Sequence, residues 1–123
     1  MRQRSILILS DKDEEFVNRL IEIGTKRNVA TVLVFLANTP EATSREIERS
    51  LDLRQPEVSL AIVYQIKKGW VKFREINLEG VGRPAKVFSL ALPMKEIITA
   101  IEKEKKKELS QKLALVKKMR DYI

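Results

Sequence analysis

The residues of this chain best suited to chemistry are those that hold an anion or the edge of a base, and they gather between Arg54 and Leu90. Gln55, Ser59, Tyr64 and Lys67 share one helical segment. Lys72, Arg74 and Lys86 flank a turn that carries Arg83 between Gly82 and Pro84. Gln55, Ser59, Tyr64 and Lys67 are the candidate groove contacts, whereas Lys72, Arg74 and Lys86 would hold phosphates. Arg54 precedes the segment, and Ser44 and Arg45 open a shorter helix before it, so the same roles extend to them. An Arg on a stiff, narrow tip suits a narrow minor groove. A plain hairpin with one exposed Arg is the alternative.

Covalent and metal chemistry are poorly served. The 123 residues include neither His nor Cys. That removes disulfides, Cys/His zinc sites, thiol redox sensing and every His-based catalytic arrangement. No phosphate-cradling or dinucleotide-binding glycine motif is present. The acidic residues read as solvated charges on helix faces. The expectation is a non-enzyme with no cofactor and no metal.

The formal charge of +7 is unevenly spread. Residues 1–53 hold 8 basic and 9 acidic groups, residues 54–92 hold 7 and 3, and residues 93–123 hold 9 and 5. The segment running −1, +4, +4 places the excess in the candidate reading stretch and the tail. This favours a polyanion partner. The competing explanation is a thermophile surface rich in Lys, which the abundance of Lys, Arg and Glu also fits. Hydrophobic content of 44% and charged content of 33% describe a globular chain of single-domain size. No apolar run is long enough for a membrane span, and Ile6 to Leu9 is too short for a signal peptide core. A cytoplasmic protein with no membrane partner is expected.

The elements that must position these residues can be read in order. Ser10 and Asp13 resemble a capping box, and acids crowd the next turn, so a helix should run from Asp11 to Ile23 with Phe16, Leu20 and Ile23 inward. Asn28 caps a second helix over Val29 to Ala37, apolar nearly all round and therefore buried. Thr43 and Glu46 form a capping box for Ser44 to Ser50. Leu53 to Gln55 makes a turn, and Pro56 opens the next helix, where its missing N–H costs nothing. Gly69 stops that helix. Two short strands follow, from Val71 and from Ala85 to Leu90, separated by Gly80, Gly82 and Pro84. Two short helices joined by a tight turn are a helix-turn-helix, and the hairpin would be its wing.

Gln55-Pro56-Glu57-Val58-Ser59, Lys67-Lys68-Gly69-Trp70-Val71 and Gly82-Arg83-Pro84-Ala85-Lys86 resemble the recognition helix and wing of archaeal winged helix-turn-helix transcriptional regulators of the MarR, ArsR and TrmB groups. The likeness reaches back to about Val29, half of the chain. It implies a mainly α fold with a small β-hairpin and a regulator of double-stranded DNA. Two departures stand out. Leu60 and Val63 occupy positions where such families carry Arg, Lys or Asn, and Gln65 occupies one that is usually apolar. Leu60 and Val63 would touch thymine methyls or be covered by protein. The second outcome corresponds to a winged helix used for protein contact in a transcription or membrane-remodelling assembly.

Pro93 to Ile123 reads as one helix of about 45 Å. Met94, Ile98, Ile101, Leu115 and Met119 keep one apolar phase, and Leu109, Leu113, Val116 and Ile123 add a second seam. These seams suit a homodimer, with Met94, Ile98, Ile101, Leu109, Leu115 and Met119 as the expected interface. Lys103, Lys105, Lys106 and Lys107 read as solvated. The expected organisation is an arm and helix over 1–28, a winged helix over 29–92 and a coiled-coil-like helix over 93–123. No effector domain is recognisable. A small-molecule signal, whose identity the residues do not give, would act at the dimer interface or through a partner.

Overall fold

The computed structural model describes residues 9–77, 82 and 84–123. The chain divides into a unit ending at Leu92 and a second over Pro93–Ile123. The first contains α1 (Asp11–Glu22), α2 (Arg27–Ala37), β1 (Ala42–Thr43), α3 (Ser44–Leu51), α4 (Gln55–Lys67), β2 (Val71–Asn77) and β3 (Pro84–Leu90). This is the order of a winged helix-turn-helix.

Local chemistry explains most boundaries. Ser10 Oγ accepts from the Asp13 amide at 3.1 Å while the Asp13 carboxylate accepts from the Ser10 amide, and Thr43 and Glu46 make the same reciprocal pair at the start of α3. At α4, Pro56 occupies the first turn and the Glu57 carboxylate accepts from the Arg54 amide at 2.8 Å. The turn between α3 and α4 is made by Asp52, left-handed at φ 56°, a conformation that Asp tolerates better than most residues. Gly69, at φ 79°, ends α4. There the Trp70 amide returns to the Gln65 carbonyl at 3.0 Å and sends the chain into β2.

The core is built on α2. Val29, Ala30, Val32, Leu33, Val34, Phe35 and Leu36 are all buried, as an apolar circumference requires. Ile47 and Leu51 of α3, Val58, Ala61 and Ile62 of α4, and Trp70, Val71, Val87 and Phe88 of the hairpin are buried too. The sheet has the order β1-β3-β2, all antiparallel, with Val71 opposite Leu90, Phe73 opposite Phe88 and Ala42 opposite Phe88 on the other edge. The short β1 carries no periodic signal and is legible only through this pairing.

Several boundaries and faces differ from expectation. In α1 the buried residues are Val17 and Leu20, Phe16 is half-buried and Ile23 is exposed. Ile23 is the C-cap, already out of helical phase, and the chain turns at Gly24 with φ 107°. Helix α2 starts at Arg27 rather than Val29, with Lys26 as N-cap and no side-chain cap. Asn28 lies inside its first turn. Helix α3 runs one residue further than Ser50, to Leu51, and α4 begins at Gln55.

The second unit, taken alone, is α5 (Met94–Met119) followed by a 3-10 turn over Arg120–Tyr122. Its 26 residues extend about 39 Å, and the 3-10 turn carries the helical run to Tyr122. No glycine closes the helix, and its last turn tightens into i→i+3 bonds instead. Among the described residues no helix is long and apolar enough to cross a membrane.

Candidate nucleic-acid interface

Helical geometry decides what α4 offers outward. Val58, Ala61, Ile62 and Gln65 are buried, and their opposite face carries Pro56, Leu60, Val63 and Lys67. At 3.6 residues per turn these four fall within about 60° of arc and form one ridge. Leu60 is 74% exposed, Val63 46% and Tyr64 42%, a large apolar surface on a short helix. Leu60 therefore projects outward, and Val63 is about half covered.

Cations flank the ridge. Arg54 is the exposed N-cap of α4, Gln55 is exposed beside it, and Ser59 is half-buried. Arg45 is exposed one residue into α3, whose first residue, Ser44, is half-buried. A groove of about 470 Å³ runs between the start of α2 and α4. It is lined by Lys26, Arg27, Val29, Leu60, Val63 and Lys67 among others, with Glu57 as an acid in its wall. Tyr64 leans edge-on against Trp70, with ring centroids 6.0 Å apart, and Lys68 Nζ sits 5.5 Å from its ring. This packing restrains the ring and holds the Tyr64 side of the helix in place.

The strand cations are not equivalent. Lys72 is exposed. Lys86 Nζ lies 4.6 Å from the centre of the Phe73 ring, a cation–π contact that leaves the ammonium at the surface. Arg74, expected beside Lys72 and Lys86 as a phosphate contact, is already engaged. Its Nε donates to Glu41 Oε2 at 3.1 Å and its Nη2 to Glu41 Oε1. These hydrogen bonds and the charge of Glu41 raise the guanidinium pKa above its ordinary value. Arg83 lies outside the described residues.

Gln65 is the residue whose role the sequence left unread. It is fully buried, and its Nε2 donates to the Ala61 carbonyl at 3.1 Å and more weakly to the Val29 carbonyl at 3.4 Å. Its Oε1 has no hydrogen-bond partner among the described residues. An amide among apolar residues at the α2–α4 contact was the available signal.

On α5, Met94 is half-buried, Ile98 exposed and Ile101 buried within the single chain. Leu109, Leu115 and Met119 are more than half exposed, as are Leu113 and Val116. The exposed seam thus lies from Leu109 onward. Among the described residues no cluster of acidic side chains is arranged to hold a metal ion.

No family model matches the chain, and no curated protein matches it in sequence. Solved structures match in fold. A possible transcriptional regulator from Methanosarcina mazei superposes with a TM-score of 0.61 at 19% identity, covering 81% of this chain and 85% of the other. A MarR family regulator from Neisseria meningitidis gives 0.53 at 21% identity, covering 81% and 68%. A transcriptional regulator homologue from Pyrococcus horikoshii gives 0.51 at 18% identity, covering 83% and 97%. At such identities the likeness shows the winged-helix fold.

Proposed function

We propose that this chain is a DNA-binding transcription regulator acting as a homodimer, with α4 in the major groove and the hairpin on the minor groove or backbone. The observation that carries this reading is the outward ridge of α4, flanked by Arg54 at its start, Lys67 at its end and Lys26 and Arg27 alongside. A helix with cations around it fits a groove whose walls are phosphates. The known structures of the same fold include proteins named as transcriptional regulators, which supports the reading. Arg83 takes the minor-groove role on the strength of its place in the sequence. The exposed Leu109, Leu113, Leu115, Val116 and Met119 supply the self-complementary surface for a second copy.

Binding to duplex DNA is expected to weaken steeply with salt, because each phosphate contact releases counterions. Fluorescence anisotropy on a random duplex across a salt series tests this. Absence of salt-sensitive binding at every protein concentration would overturn the reading and favour a protein-contact module.

Glu41 should act as a brake in the same measurement. It holds Arg74 in a forked hydrogen bond that a phosphate must displace. Glu41→Gln is expected to tighten binding and to steepen the slope of log K against log salt by about 0.9, the value of one added phosphate contact. An unchanged slope would mean that Arg74 does not meet the backbone.

A further inference from the structure

We infer that α4 reads thymine methyl groups, so that the preferred ligand is an A·T-rich duplex recognised through apolar contact. This rests on the DNA-binding reading and adds the class of sequence recognised. Direct readout normally depends on long hydrogen-bonding side chains at the centre of the reading helix, Arg or Lys for guanine and Asn or Gln for adenine. Here the centre of the ridge is Leu60 and Val63, whose side chains make no hydrogen bonds.

The neighbouring polar groups do not replace them. Ser59 is half-buried, and Tyr64 is packed edge-on to Trp70. Gln55 stands at the first turn of the helix, so one side chain with a paired donor and acceptor is left at that end. From Pro56 to Val63 the ridge covers about 10 Å, the length of about three base-pair steps. Of the major-groove edges, that of thymine alone carries a methyl group, and removing apolar surface from water is the favourable term available to Leu60 and Val63. Cations at the ends and along one side of the ridge exclude a purely apolar partner and complement a polyanion.

The test uses the full chain and duplexes that differ only in methyl groups. An alternating A·T duplex is compared with the same duplex in which deoxyuridine replaces thymidine. A G·C duplex is compared with its 5-methylcytosine form. Removal of the methyls is expected to weaken binding about fourfold per contacted methyl, the equivalent of one buried carbon, and methylation of cytosine should restore part of it. Leu60→Ala, at an exposed position that leaves the core intact, should narrow the difference between thymidine and deoxyuridine duplexes, with Val63 keeping the remainder. Equal affinity of the unaltered protein for both duplexes, with salt-sensitive binding retained, would overturn the methyl readout and leave DNA binding standing. Loss of affinity in Leu60→Ala that is the same on both duplexes would also overturn it. No binding to any duplex would overturn the DNA-binding reading itself.

Discussion

Exchanging Leu109, Leu113, Val116 and Met119 together for glutamine is expected to leave the chain folded and to make it monomeric. The four side chains follow one another at steps of four, three and three residues and form one stripe on α5. Each is more than half exposed in the single chain, so their removal opens no cavity. Glutamine keeps the helix propensity of the segment. Covering such a stripe with its copy contributes about 25 cal/mol for every Å² of apolar surface removed from water. Light scattering at micromolar concentration should show a dimer for the unaltered chain and a monomer for the variant. Specific DNA affinity should fall by on the order of 10²–10⁴, because two linked half-sites become two separate binding events. Non-specific affinity should change far less. A variant that remains dimeric would move the interface elsewhere, and an unaltered chain that is monomeric would remove the dimer altogether.

The second large effect concerns stability. Gln65→Leu is expected to raise the unfolding free energy by about 1–3 kcal/mol, the cost of an unsatisfied buried polar atom. The side chain is fully buried, and its Oε1 meets no partner among the described residues. One of its two donated bonds, to Val29, is long at 3.4 Å, so little is lost with the amide. Leucine has nearly the same volume and satisfies the apolar neighbours. Gln65→Glu should act in the opposite direction and more strongly, because a carboxylate at that depth must be desolvated or protonated. Urea denaturation of the two variants checks both signs. A less stable Gln65→Leu protein would show that the bonds to Ala61 and Val29 outweigh the orphaned oxygen.

Gln65 also shows where sequence reasoning reaches and where it stops. Its position in the helix was clear from Pro56 and Gly69, but whether the amide faced water or the core was not. Burial depends on which side of α4 meets α2, and a helix that is apolar on more than one face does not say. The same ambiguity surrounded Leu60 and Val63, which read equally as groove contacts or as residues covered by protein. Only packing around α2 decided that Val58, Ala61 and Ile62 turn inward and that Leu60 and Val63 remain outside.

What the chain alone determined was local. The capping pairs Ser10–Asp13 and Thr43–Glu46, Pro56 at the start of α4 and Gly69 at its end are short-range chemistry, complete within a few residues, and so is the apolar circumference of α2. Most of the misplaced features were set by distant contacts, the start of α2 at Arg27 rather than Val29 being a local exception. The two-residue β1 exists because Ala42 and Thr43 pair with Phe88 and Val87, more than forty residues away. Arg74 looked like a free cation until the sheet brought Glu41 beside it. The inward face of α1 shifted from Phe16 and Ile23 to Val17 because docking selects among near-equivalent apolar stripes. Short-range hydrogen bonds and backbone preferences are written in consecutive residues, whereas the face a helix buries and the partner a charge finds depend on atoms that only the folded chain brings together.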